Sequence, residues 1–296
     1  MIYERIESNK RNSIILFAAF FAVVLLLGYV FGMLFSTGIF GIFIALLISG
    51  SMALASYYSG DKMALSINHA VPASKREYPH LINTIEGLSI AAGIPKPKAY
   101  VMDDPAINAF ATGRDPTHAS IAVTKGALEK LERDELEGVI GHEMSHVKNY
   151  DIRFMTIVAI LVGIIAIISD FMMRSFFWGG RRRSRDDESG QAYIILALVG
   201  LVLAIITPII AQLIKFAISR KREFLADADS ALLTRYPKGL ANALRKIEKD
   251  GKQMENASPA LEHMYIANPF KKKNWFIGMF STHPPIEERI KALEEM

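Results

Sequence analysis

Apolar and polar positions alternate along this chain on two length scales. On the longer one, uncharged apolar blocks interrupt charged sequence: residues 14–35 hold no charge over 22 positions, residues 38–58 none over 21, and residues 192–213 none over 22. Each meets the roughly 20 residues that a helix needs to cross a bilayer core. Pro208 inside the last block is tolerated where neighbouring helices re-satisfy the backbone. Residues 154–169 form a shorter run of 16 before Asp170, and they span only if Asp170 lies at the interface, paired with Arg174 one turn on. A buried helix of a soluble core is the other reading of that run. Ser36-Thr37 makes a tight hairpin between the first two blocks. Lys10 and Arg11 look like the basic region of a signal peptide, but the apolar run after them is too long and no small-residue cleavage site follows. The pattern therefore predicts a mainly α integral membrane protein with four transmembrane helices, the third resting on the shortest run.

On the shorter scale, residues 78–92 carry Leu81, Ile82, Ile85 and Leu88 at helical spacing and stop at Gly93 and Pro95. Residues 98–102, 106–111 and 119–123 read as three short strands, separated by Asp103-Asp104-Pro105 and the turn residues 113–117. A short helix ends over 128–131. Asp134 is placed to cap the next helix, which should run on into the block at 154–169, and a last helix covers 286–296. These elements predict an α+β domain with a small sheet, divided in sequence. The expected order is an N-terminal transmembrane hairpin (1–58), a first soluble part (59–153), a second transmembrane hairpin (154–217) and a second soluble part (218–296).

The soluble parts carry one dense chemical motif. His142, Glu143 and His146 form H-E-x-x-H. Positions i and i+4 of a helix project from one face about a turn apart, so both imidazoles can bind one Zn²⁺ at roughly 2.0–2.1 Å. Glu143 stands beside the first histidine, where its carboxylate can take a proton from a water on the metal. A catalytic zinc takes three protein ligands and keeps a position for water. Cysteine is absent, so the third ligand is His, Asp or Glu. Residues 219–227 contain no helix breaker, and as a helix they put Glu223 and Asp227 on one face. Glu223 is then the candidate third ligand, and Asp227 the carboxylate that accepts the outer N–H of a ligand imidazole and fixes its tautomer. Read alone, the segment would be a basic membrane-flanking helix with surface pairs.

H-E-x-x-H-x-x-x-x-D from His142 to Asp151, followed by S-R-x-R-E-F-x-A-D from Ser219 to Asp227, resembles the HtpX membrane metalloproteases. These are relatives of the CAAX prenyl proteases and of mitochondrial inner-membrane quality-control proteases. Asn108-Ala109-Phe110-Ala111-Thr112-Gly113 and Ser281-Thr282-His283-Pro284-Pro285, with Arg289 six residues after His283, extend the likeness over nearly the whole chain. The resemblance implies a gluzincin-like zinc protease domain with one Zn²⁺ per chain, ligated by His142, His146 and Glu223. It makes Glu143 the general base, with Asp151, Asp227 and Arg289 supporting the ligands. It also implies ATP-independent endoproteolysis of unfolded, misfolded or damaged membrane proteins at a cytoplasm-facing site. The strand of Asn108, Ala109, Phe110, Ala111 and Thr112 is the candidate substrate edge, since an extended peptide adds to an exposed strand through main-chain hydrogen bonds. A structural hairpin packed on the helices is the other reading. His283 is the candidate donor to the tetrahedral oxyanion, with Arg289 holding Glu223 by a charge-assisted hydrogen bond, although His-Pro-Pro also suits a plain turn. A non-catalytic zinc-binding membrane scaffold or sensor is the rival class. It would need no base, and Glu143 is present.

Charge then sets orientation and partners. A shared metal requires both soluble parts on one side of the bilayer. Arg5, Lys10 and Arg11 precede the first block and the hairpin tip is uncharged, so the positive-inside rule places the N-terminus and the catalytic mass in the cytoplasm, in the cell membrane of a prokaryote. Arg181, Arg182, Arg183 and Arg185 oppose this, because four spans would put them outside. Either the second hairpin does not fully cross or that loop is an exception. Lys271, Lys272 and Lys273 beside Phe270, Trp275, Phe276 and Phe280 read as an interfacial anchor or as a solvated loop. A net charge of +4 is accounted for by membrane-flanking cations, so no nucleic-acid partner is expected. The chain shows no Gly-rich phosphate loop, so ATP is not expected either, and the lack of cysteine suits the cytoplasm.

Overall fold

The computed structural model describes residues 6–15, 17–18, 21–22, 25, 39–159, 220–270 and 283–296. At its centre is a four-stranded mixed sheet in the order β1-β2-β4-β3, formed by β1 (Val71–Pro72), β2 (Lys98–Met102), β3 (Ala109–Gly113) and β4 (Ala119–Thr124). β4 pairs parallel with β2 and antiparallel with β3, which leaves β3 at one edge. Side chains alternate along a strand, so the sheet feeds two cores. Ala109, Ala111, Ile121 and Val123 enter one, while Phe110 and Ala122 enter the other.

Seven labelled helices surround the sheet among the described residues: α1 (Ile39–Ile67), α2 (Pro79–Ala92), α3 (Lys125–Lys130), α4 (Arg133–Lys148), α5 (Arg220–Thr234), α6 (Pro237–Asp250) and α7 (Ile286–Glu294). The first core joins α2, α4, α6 and α7 through residues such as Leu81, Val139, Leu244 and Leu293. α4 lies deepest, buried on nearly every face. Two glycines give it room. A Cβ at Gly138 would stand 2.5 Å from the Leu240 backbone nitrogen of α6, and one at Gly141 would stand 2.7 Å from Ser230 Oγ of α5. The start of α4 is fixed at Glu132, whose N–H donates to Glu135 Oε2 at 2.7 Å, while Lys246 of α6 donates to the same oxygen at 2.6 Å. Asp134 therefore sits in the first turn and is not the cap.

α4 also stops sooner than its sequence suggests. Asn149 and Tyr150 form a turn, with Tyr150 at φ 61°, and helix restarts over residues 151–159. Neither residue is a helix breaker. The turn is held from outside, by Asn149 Nδ2 donating to Asp229 Oδ2 of α5 at 2.9 Å. Two strands differ as well. β3 begins at Ala109 because Asp104 Oδ1 accepts the Ala106 N–H at 2.9 Å and Thr124 Oγ1 accepts the Asn108 N–H at 3.0 Å, which keeps residues 104–108 a loop. β1 adds a fourth strand, and two residues ending in proline leave no periodic trace.

α1 contains the second expected span in a continuous 29-residue helix. It exposes Phe40, Phe43, Leu46, Leu47 and Leu54, then docks through Ala64 and Leu65 in the second core. Among the described residues, no helix is long and apolar enough to cross a membrane. Residues 154–159, expected to open the third span, are buried; Met155 and Ala159 pack in the second core with Phe110 and Tyr265. The rest of that block, most of residues 14–35, residues 192–213, Asp170 with Arg174, the arginine cluster at 181–185, and Lys271 to Lys273 with Trp275, Phe276 and Phe280 lie outside the described residues.

Candidate active site

α4 and α5 bring His142, His146 and Glu223 together, all buried, with one ligand atom from each lying within 4.8 Å of the others. The two Nε2 atoms are 3.2 Å apart, and each stands 3.6 Å from a Glu223 oxygen. Behind each ring is a carboxylate. His142 Nδ1 lies 2.8 Å from Asp227 Oδ1, one turn beyond Glu223 on α5, and His146 Nδ1 lies 3.0 Å from Asp151 Oδ2, just past the Tyr150 turn. The break in the helix is what returns Asp151 to the ring five residues before it.

These bonds test whether a metal suits the site. The carboxylates occupy both Nδ1 atoms and so turn the two Nε2 atoms toward each other, where a proton or a metal ion can lie between them. Glu223 Oε2 and both Glu143 oxygens are buried without a hydrogen-bond partner, in an interior where such atoms are normally paired. Two tetrahedral ligands at roughly 2.0–2.1 Å from a zinc ion stand about 3.3 Å apart, close to the 3.2 Å between the imidazole nitrogens. The donor set fits the ion, with His142, His146 and Glu223 as the groups that would hold it.

The electrostatics agree. Burial lowers the His142 pKa, helped by the charges of Arg289 and His146 and resisted by Asp227. Burial would depress His146 too, but the hydrogen bond it donates to Asp151 and the charges of Glu223, Asp151 and Glu143 push it up to about 9. The field that holds a proton there favours a cation at the same nitrogen. Burial raises Glu223, yet the charges of His283, His142, His146 and Arg289 keep it below its usual value. Asp227 is likewise penalised by burial and held well below the ordinary carboxylate range by Arg289. At Glu143 burial, joined by the charge of Glu223, outweighs the charges of His146 and Arg289 and pushes the pKa up to about 7.

Of the other sequence candidates, Arg289 is fully buried and grips Asp227 more than Glu223. Its Nε and Nη2 donate to the two Asp227 oxygens at 2.8 and 2.6 Å, while its Nη1 remains 3.7 Å from Glu223 and donates to Ile266 O at 2.8 Å. Bidentate geometry explains the preference. His283 is buried, acts electrostatically on Glu223 and bonds the Tyr265 backbone. β3 is fully buried. Asn108 Nδ2 is taken by Ala267 O at 3.1 Å, Thr112 Oγ1 by Thr156 Oγ1 at 3.0 Å, and the Phe110 ring meets Tyr265 edge-on. Part of its outer edge is occupied too, since Ile266 N–H donates to Ala109 O at 3.0 Å. The Ala111 backbone N–H faces Glu143. Sequence reading missed Tyr265 and Ile266, which sit in a segment without periodicity. It also missed Asn9, one of seven consecutive polar residues before an apolar run.

A family model described as Peptidase family M48 matches residues 75–296. A Protease HtpX homolog of Dictyoglomus thermophilum is 47% identical over 294 residues, covering 99% of this chain and 94% of that protein. Another, from Listeria monocytogenes serotype 4a, is 45% identical over 304 residues and covers both chains fully, 100% of each. Among solved structures, the crystal structure of S. mikatae Ste24p aligns with a TM-score of 0.52 at 20% identity, over 98% of this chain and 66% of that one. At that identity the likeness concerns the fold.

Proposed function

This chain belongs to peptidase family M48, and from that premise we propose that it is an integral-membrane zinc endopeptidase that cleaves unfolded or damaged membrane proteins at a cytoplasm-facing site. One observation carries the reading: Glu143, buried and bonded by no other side chain, stands beside the convergent His142, His146 and Glu223. A non-catalytic scaffold has no use for such a carboxylate. The test is purified protein in detergent, with zinc, incubated with casein beside Glu143→Gln. The variant should keep its zinc by elemental analysis and lose at least about two orders of magnitude of cleavage, as expected for removal of a general base. Equal cleavage by the two proteins would overturn the assignment.

When bound, the ion supplies Lewis-acid polarisation of the scissile carbonyl and of water. The chain's own groups do the rest. Glu143 takes a proton from the attacking water and later delivers it to the leaving amine nitrogen. His283 is the donor for the oxyanion. The peptide aligns along β3, where the Ala111 backbone gives it a main-chain partner next to Glu143. Asn108, Phe110 and Thr112 shape that edge from behind, because their side chains are already engaged.

Four membrane spans complete the proposal. The uncharged blocks at 14–35, 38–58 and 192–213 support three of them, and the exposed apolar side chains of α1 suit a lipid environment. Lys10 and Arg11 favour a cytoplasmic N-terminus.

A further inference from the structure

Asn9 lies outside every motif and only 5% of its surface is exposed. Its Nδ2 donates to Asp151 Oδ1 at 2.7 Å and to Asn149 O at 2.8 Å, and its Oδ1 accepts from Arg222 Nη2 at 3.0 Å. Those partners fix the amide's orientation, since a flip would set its oxygen against a carboxylate and a carbonyl. Arg222 Nε also stands 3.2 Å from Asp151 Oδ1. Two donors thus secure one oxygen of Asp151 and leave the other for His146 Nδ1 at 3.0 Å. Lys10 adds a second contact, its ammonium 4.6 Å above the Tyr150 ring.

We propose that Asn9 is a positioning residue of the metal centre, acting through Asp151 on His146. The inference rests on the reading of His146 as a ligand. An imidazole ligand is oriented by its outer hydrogen bond, and that carboxylate is itself held by further donors. Asn9 supplies one from the helical segment 6–15, whose continuation opens the first uncharged block at Ile14. The segment that leads into the first expected span is therefore wired to the ligand through two side chains, Asn9 and Asp151.

The experiment uses the full chain in detergent and measures zinc affinity by chelator competition, together with kcat and KM on an unfolded protein. Asn9→Ala should bind zinc about tenfold more weakly, the low end of the range for outer partners of metal ligands, and should lower kcat at unchanged KM. Asn9→Asp keeps the shape but has no donor for Asp151, so it should be no better than Asn9→Ala. Glu7→Ala, exposed on the same segment, should match wild type. Should Asn9→Ala not fold, Asn9→Asp and Asn9→Ser carry the same comparison. Wild-type zinc affinity in the Asn9 variants, with Asp151→Ala weakened, would reduce Asn9 to an anchor and overturn the proposal. Unchanged affinity in Asp151→Ala as well would overturn it at its base, the orientation of His146 by Asp151.

Discussion

At the scale of single residues, the site is a chain of charges that each need the next. Asp227 holds His142, and Arg289 holds Asp227. Asp227→Ala should weaken zinc binding roughly 10–100-fold, and equal affinity by chelator competition would show that it orients nothing. Arg289→Met leaves a buried carboxylate without its cation and should cost about 3–5 kcal/mol of stability. Adding Asp227→Asn should recover part of that loss in denaturant titrations without restoring zinc affinity. His263 gives a pH dependence apart from the metal. Its Nε2 donates to Met155 O at 3.0 Å, and burial pushes its pKa down from 6.5 to about 4. The unfolded chain therefore takes up this proton first as pH falls. The stability is fully present above pH 6.5 and is lost by about pH 4, a change of roughly 3 kcal/mol. His263→Gln should shrink the acid loss of stability by about that amount, and an unchanged slope would contradict it.

At the scale of elements, α4, which carries His142 and His146, depends on how closely its neighbours approach. Gly138→Ala would press a Cβ into the α6 backbone and should destabilise by about 1–3 kcal/mol, read as a lower melting temperature with reduced cleavage. Wild-type stability would mean that α6 yields freely. What the sequence disclosed follows the same division between local and distant causes. β2 matched its expected bounds, and α2 did so to within a residue, because alternation and an αL glycine at Gly93 are local signals. The H-E-x-x-H spacing and the pair Glu223 and Asp227 were legible for the same reason. The turn at Asn149 and Tyr150, the late start of β3 and the docking of Asn9 were not, since each is held by side chains far away in sequence. Arg289 is legible as a cation beside Glu223, while its bidentate bond to Asp227 is not, because a linear motif does not say which carboxylate offers both oxygens.

At the scale of the whole molecule, topology is directly testable, because the chain has no cysteine of its own. Ser184→Cys should react in intact cells with a membrane-impermeant thiol reagent if four spans are complete. Protection that ends when the cells are opened would favour a second hairpin that does not cross. Ser258→Cys should stay protected in intact cells, and its labelling from outside would place the site on the other face of the membrane.

The centre is assembled from residues far apart in the chain: Asn9, then His142 to Asp151, then Glu223 and Asp227, and finally Arg289. Chains emerge from synthesis N-terminus first, so the histidines are made long before the groups that orient and neutralise them. A growing chain thus has its hydrophobic blocks made while the set of residues around His142 and His146 is still incomplete. Asp227 gains its two bonds from Arg289 only once α7 has been made and can dock. The order of the sequence therefore sets the order in which the parts of the centre become available, with Arg289 last.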